Sequence, residues 1–327
     1  MNDTGIASQE IAVLGAGNSG LAMAAHLAAN GCSVRLWNRA EEDLLSPIRA
    51  GGGIGLEGVL HGRYLPNVLT SDMGEAVAGA ALIMVTVPAH AHRAVVTALA
   101  PHVRADQTII LNPGRTCGAL EAATILRGRN APGGVVVAET QTIAYTCRKT
   151  SPDSCAVLAM KQNVELAAFL PGQTNRVLSA LPDCLRPHFV PASSTLRTGL
   201  GNVGMVLHCA PVLFNVGWIE TARTPFQYYY EAITPTVSAF LERLDAERLE
   251  VARLCGEEVP SVRQWMRTAY GVSGQTLYDC IQSNACYAGI DAPTTLRHRY
   301  LLEDIPTGLV PLEAIGRALG ADVARTT

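Results

Sequence analysis

Ile11-Ala12-Val13-Leu14-Gly15-Ala16-Gly17-Asn18-Ser19-Gly20 is the stretch whose reading decides the fold. Four apolar residues, too few for a helix, run directly into a G-x-G-x-x-G pattern, and an Ala-rich amphipathic stretch over residues 21–29 follows. A buried strand that ends in a glycine turn and opens a helix is the dinucleotide-binding arrangement. Gly15 permits the tight turn, Gly17 lets the backbone approach a pyrophosphate, and Gly20 allows helix and strand to pack closely. Asn18 and Ser19 open the helix, whose free N–H groups and positive dipole end hold the anion.

The alternation continues outward from this stretch. Residues 33–37, 82–87, 108–111 and 135–138 read as short buried strands bounded by Gly, Pro or Asn, with helical patterns such as 21–29 and 90–99 between them. Strand and helix in turn imply a parallel sheet with right-handed crossovers, so the spacing predicts an α/β, Rossmann-type doubly wound domain. Residues 154–168 add strands before the pattern changes near Pro191. Beyond it, 3.6-residue periods dominate over 198–220, 226–255, 262–270, 276–282 and 312–319. The expected organisation is a dinucleotide-binding domain over 1–190 and a mostly α-helical substrate and catalytic domain over 191–327, with no internal repeat.

Composition agrees with two packed cores. The chain has 327 residues, 48% hydrophobic and 16% charged, enough apolar surface to offset the entropy of ordering. A formal net charge of -3 gives no electrostatic footprint for nucleic acid or an anionic membrane. The 9 cysteines are scattered without a C-x-x-C pair, which fits reduced thiols better than a disulfide framework or a zinc site, so no metal is expected. No apolar run reaches the roughly 18 residues of a membrane span. Residues 1–9 are small and polar, without the basic start and apolar core of a signal peptide, so a soluble cytoplasmic protein is expected.

The second strand ends at Trp37-Asn38-Arg39, about 20 residues beyond the glycines, where an NAD site carries an acid for the ribose 2′-hydroxyl. Asn38 with Arg39 beside it favours NADP, because a guanidinium pairs bidentately with a 2′-phosphate; NAD remains the alternative. In the competing reading Arg39 is a solvated loop residue beside Glu41, Glu42 and Asp43. Val87-Pro88-Ala89 and Asn112-Pro113-Gly114 each end a strand at the carboxyl edge of the sheet, where open α/β folds bind ligands, so Val87 and Pro88 join the candidate cofactor contacts.

In the second half, His208 lies inside the otherwise apolar helix pattern 203–214. A lone histidine there is more often a satisfied core residue than a catalyst. Two further stretches change the balance: Thr224-Pro225-Phe226-Gln227-Tyr228-Tyr229, and Arg299-Tyr300-Leu301-Leu302-Glu303-Asp304-Ile305-Pro306-Thr307-Gly308-Leu309-Val310-Pro311. With them the chain, from about residue 10 to 319, resembles the opine dehydrogenases, most of all the bacterial N-(1-carboxyethyl)-norvaline dehydrogenase type.

That resemblance implies a catalytic histidine at His208, its partner aspartate at Asp304 and a substrate-carboxylate grip at Arg299, with Asn202 and Asn215 as substrate contacts. The competing readings are a core histidine, a helix cap and a surface ion pair. The chemistry fits the first set, since a carboxylate orients an imidazole and favours its charged form, while Arg presents a planar fork. Relatives often carry an asparagine four residues before the histidine, and Gly204 stands there in this chain. The implied reaction is reductive amination: a 2-oxo acid condenses with the amine of an amino acid, and the nicotinamide reduces the imine. Relatives are often homodimers, and they commonly continue beyond the position of Thr327 through a further helical segment.

Two rivals stand beside this reading. Ketopantoate or glycerol-phosphate dehydrogenases share the first-half layout but use a lysine of the interdomain helix, and this chain has only Lys149 and Lys161. A nonenzymatic NADP(H)-binding protein would use His208 and Asp304 for packing alone.

Overall fold

The computed structural model describes residues 9–327; residues 1–8, most of the segment read above for a signal peptide, lie outside them. The chain forms two compact units, one running to Thr198 and the other spanning Gly199–Thr327.

In the first unit the strands are β1 Glu10–Leu14, β2 Ser33–Trp37, β3 Ile54–Gly58, β4 Gly62–Tyr64, β5 Val68–Thr70, β6 Leu82–Val85, β7 Thr108–Leu111, β8 Val136–Thr140, β9 Tyr145–Ser151, β10 Ser154–Met160, β11 Val164–Ala168 and β12 Phe189–Pro191. Eight of them make one sheet in the order β12-β11-β8-β7-β6-β1-β2-β5. β1 pairs in parallel with β2 on one side and β6 on the other, in the register Ile11↔Val34 and Ile11↔Leu82. The chain builds outward from β1 first one way and then the other, which makes the β1/β6 edge the switch point where such sheets bind ligands. Alternate β1 residues feed two cores: Ile11 and Val13 pack with Leu21 and Leu36, Ala12 and Leu14 with Ile83 and Ile109.

Two features depart from the sequence reading. β11 runs antiparallel to β8, so the sheet is mostly rather than wholly parallel. A second sheet of order β4-β3-β10-β9 covers the helix Asn18–Ala29. Its strands β3 and β4 lie in a glycine-rich stretch with no apolar period to reveal them; β4 pairs with β3, and the pairing of β3 with β10 is long-range.

The second unit is helical. The expected run 198–220 breaks into Thr195–Leu200, Gly204–Phe214 and Val216–Thr221. Asn202 Oδ1 accepts the Gly204 N–H, and Asn215 donates to Pro211 and Ala232 carbonyls, so each break is closed by an asparagine. The expected helix 226–255 begins at Pro235, because Thr234 caps it and Tyr228–Ala232 form a π-turn. In the core Arg248, wholly buried, donates from Nε and Nη2 to Asp245 and from Nη1 to the Leu200 carbonyl. Removing one partner of such a buried pair costs about 3 to 5 kcal/mol.

Candidate active site

At the glycine turn, Gly15 and Gly20 have the geometry read from them. Gly15 has φ +118, and a Cβ on Gly20 would lie 1.7 Å from the Gly15 carbonyl oxygen, so neither position accepts a side chain. At Gly17 a Cβ would meet nothing within 4 Å, and Gly17 and Asn18 are exposed with Ser19 half-buried. The open space lies at the start of a 12-residue helix, which fits a pyrophosphate on its N–H groups. Thr86 Oγ1 holds the turn from below, 3.0 Å from the Leu14 carbonyl and 3.1 Å from that of Gly15.

Asn38 is buried: its oxygen accepts the Ala16 N–H at 3.2 Å, and its nitrogen donates to the Arg39 and Glu42 carbonyls. It fastens the end of β2 to the glycine turn. Asn18 is fastened likewise, its side-chain oxygen accepting the Lys149 N–H of the second sheet. Arg39 is exposed and ion-paired with Glu42. Val87 packs against Gly15, where a Cβ would come within 2.8 Å of its Cγ1, and Pro88 beside it is exposed.

At the carboxyl ends of β7 and β8 lies a group the sequence reading passed over. Glu139 is fully buried and accepts hydrogen bonds from the Thr198 hydroxyl at 2.6 Å and Ala119 N–H at 2.8 Å. Burial pushes its carboxyl up to about 7 against those two bonds. Gly114 leaves room for it, since a Cβ there would lie 2.3 Å from Glu139 Oε2. Nearby, Lys161 donates to Thr142 Oγ1 at 3.0 Å; burial, and secondarily the Arg115 charge, push its ammonium down to about 8.

In the helical unit two of the residues named by the resemblance, His208 and Asp304, come together. His208 sits on the helix Gly204–Phe214, one turn before Pro211, which has no N–H to offer the Leu207 carbonyl. The Tyr228 hydroxyl takes up that position, 3.2 Å from the Leu207 carbonyl and 2.7 Å from that of His208. The turn carrying the imidazole is thereby fixed. His208 Nδ1 lies 2.8 Å from Asp304 Oδ2, with Asp304 wholly buried at the start of the π-turn Ile305–Leu309. Nε2 lies 3.2 Å from the Tyr229 hydroxyl. Tyr300 stacks on the imidazole at a centroid distance of 4.0 Å and 12°.

Arg299 neighbours Tyr300 on the short helix Arg299–Leu302, exposed and paired with buried Glu303 at 3.2 Å. Its charge and that of His208 both bear on His298, whose pKa is lowered first by burial and then by those two neighbours. Of the two asparagines expected at the substrate, Asn215 has both amide hydrogens committed to backbone, and it closes the helix end. Asn202 is buried beside Gly308, where a Cβ would lie 3.5 Å from its Nδ2.

Tyr229 was legible only as part of a family motif; nothing in its spacing marks it, because its contact with His208 joins two elements that the sequence separates. Among the described residues no group of three or more His, Cys, Asp or Glu side chains is placed to hold a metal ion, and no helix is long and apolar enough to cross a membrane.

Comparison with known proteins bears on both units. The family described as NAD/NADP octopine/nopaline dehydrogenase, alpha-helical domain, matches residues 191–327. Residues 10–114 match NAD-dependent glycerol-3-phosphate dehydrogenase N-terminus, which is the dinucleotide-binding layout shared with one rival reading. The chain is 41% identical over 315 residues to an opine dehydrogenase of Arthrobacter sp. (strain 1C), covering 96% of this chain and 87% of that protein. Two solved structures share its fold over 98% of its length: octopine dehydrogenase with NADH and L-arginine (TM-score 0.79, 21% identity, 87% of that chain), and NADP+-bound yersinopine dehydrogenase (TM-score 0.80, 17% identity, 88% of that chain). With a helical unit that matches the family and a 41% identical relative along nearly its whole length, the chain belongs to the opine dehydrogenases, NAD(P)-dependent oxidoreductases that condense a 2-oxo acid reductively with the amine of an amino acid.

Proposed function

We propose that this chain performs that condensation with His208 as its acid and base, Asp304 as the group that orients it, and NADPH as the preferred reductant. The observation that carries the reading is the 2.8 Å bond between His208 Nδ1 and a wholly buried Asp304 carboxylate. An ionised carboxylate only accepts, so Nδ1 carries a proton and Nε2 is the nitrogen that exchanges one. Arg299 grips the carboxylate of the 2-oxo acid through the part of its fork not turned to Glu303. The glycine turn and Arg39 hold the dinucleotide, and when bound the dihydronicotinamide supplies hydride to the imine carbon. His208 handles the protons: one helps the carbinolamine oxygen leave as water, and in the reverse direction the neutral imidazole removes one from the attacking water or the amine.

A matrix of 2-oxo acids against amino acids and amines, followed by NADPH oxidation, tests the reading. Turnover with at least one pair and none with either partner alone is expected; a matrix blank throughout overturns it. The reading includes a cytoplasmic homodimer, which rests on the resemblance to relatives and is checked by sedimentation.

A further inference from the structure

We propose that Tyr229 is the terminal proton carrier of this site: its hydroxyl exchanges the proton with the substrate and is refilled from His208 Nε2. The inference rests on the opine dehydrogenase reading and adds a residue to it.

The geometry gives the reason. An imidazole nitrogen has one in-plane direction for a hydrogen bond, and at His208 both directions are taken, Nδ1 by Asp304 at 2.8 Å and Nε2 by Tyr229 at 3.2 Å. One ring face is stacked on Tyr300. A proton leaving Nε2 along its bond direction therefore arrives at the Tyr229 oxygen. A hydroxyl suits that position because it donates and accepts at once, and a proton entering on one side releases another from the far side.

The phenol is held still for the task. Its ring stacks on Tyr287 at 3.8 Å and 11°, and meets Tyr228 edge-on at 5.0 Å and 84°. Burial, with Tyr300, Tyr287 and Tyr228 around it, holds its acidity far below that of an ordinary phenol. Tyr229 alone would be a poor acid. With the imidazolium behind it no phenolate has to form: as the Oη–H bond breaks toward the carbinolamine oxygen, the Nε2–H bond breaks toward Oη. The C–O bond opens, water departs, the nitrogen lone pair forms C=N, and the positive charge passes from imidazolium to iminium. His208 is left neutral, its Nδ1–H retained and still donating to Asp304, and the reverse direction retraces the same path.

Tyr229→Phe separates this from direct proton transfer by His208. Phe keeps the ring stack on Tyr287, so the fold should persist, and thermal unfolding checks that it does. The relay requires kcat to fall about 100-fold while KM for both substrates and Kd for NADPH change less than about threefold. If His208 acts directly, removing the hydroxyl uncovers Nε2 and kcat stays level or rises, which overturns the proposal and leaves the opine reading standing. An independent arm needs no variant: single-turnover rates of the unmodified protein in mixtures of light and heavy water should follow a bowed curve, because two protons move together. A straight line, the mark of one proton in flight, overturns the relay. A protein without turnover on any substrate pair overturns both readings.

Discussion

The Thr198 hydroxyl donates to Glu139 at 2.6 Å, linking a buried carboxyl at the end of β8 to the last residue of the dinucleotide-binding unit. This carboxyl lies up at about 7 instead of its ordinary 4.5, because burial outweighs the bonds from Thr198 and Ala119. Between those two pH values the folded protein holds a proton that the unfolded chain has released. Stability then falls as pH rises through the window, and the full cost, about 3 kcal/mol, applies above it.

Glu139→Gln removes that slope. The melting temperature of the variant relative to the parent should improve by several degrees between pH 5 and pH 8, whatever the amide costs in lost acceptor geometry. A difference that stays constant across this range would place the carboxyl's titration outside it.

The proposed preference for NADPH rests on Arg39. It is exposed and paired with Glu42, so a 2′-phosphate has to compete with that carboxylate for the guanidinium. A charge-assisted pair to a phosphate is worth about 1.5 to 3 kcal/mol, so Arg39→Ala should lower the preference for NADPH over NADH about tenfold. Glu42→Gln should raise it. Fluorescence titrations with both reduced dinucleotides provide the comparison, and equal affinities in the unmodified protein count against an NADP site.

The doubly wound core was legible in the sequence because β1, β6 and β7 are short apolar runs between glycine, proline and asparagine, and because Gly15 and Gly20 stand where no side chain fits. His208 and Asp304 were legible through motif resemblance, although 96 residues separate them. The second sheet was not, since β3 and β4 show no period of their own: β3 is set by its distant partner β10, and β4 pairs with β3 alone. Tyr229 and Glu139 were missed for a related reason. Each acquires its role from a contact with a distant segment, and a tyrosine in an aromatic run or a glutamate closing a strand carries no local mark of it.

Arg299 offers a sharper test than deletion would. Arg299→Lys keeps the charge and the contact with Glu303 but loses the planar fork, so KM for the 2-oxo acid should rise tenfold or more while Kd for NADPH holds. An unchanged KM would return Arg299 to the surface ion pair it makes with Glu303.

His208 and Asp304 should behave as one unit. Asp304 is wholly buried and its Oδ2 faces Nδ1, so removing the carboxylate frees the ring to turn and to take the wrong tautomer, while removing the imidazole leaves the carboxylate nothing to orient. His208→Ala and Asp304→Asn should each lower turnover about 100-fold or more. The double variant should lose little beyond the worse single one, because groups that act through each other do not contribute additively. NADPH affinity should survive in all three, since the glycine turn proposed to hold the dinucleotide belongs to the other unit. A folded His208→Ala protein with near-normal turnover would make the histidine a packing residue, and losses that multiply in the double variant would mean that Asp304 acts on the reaction by a route that does not pass through His208.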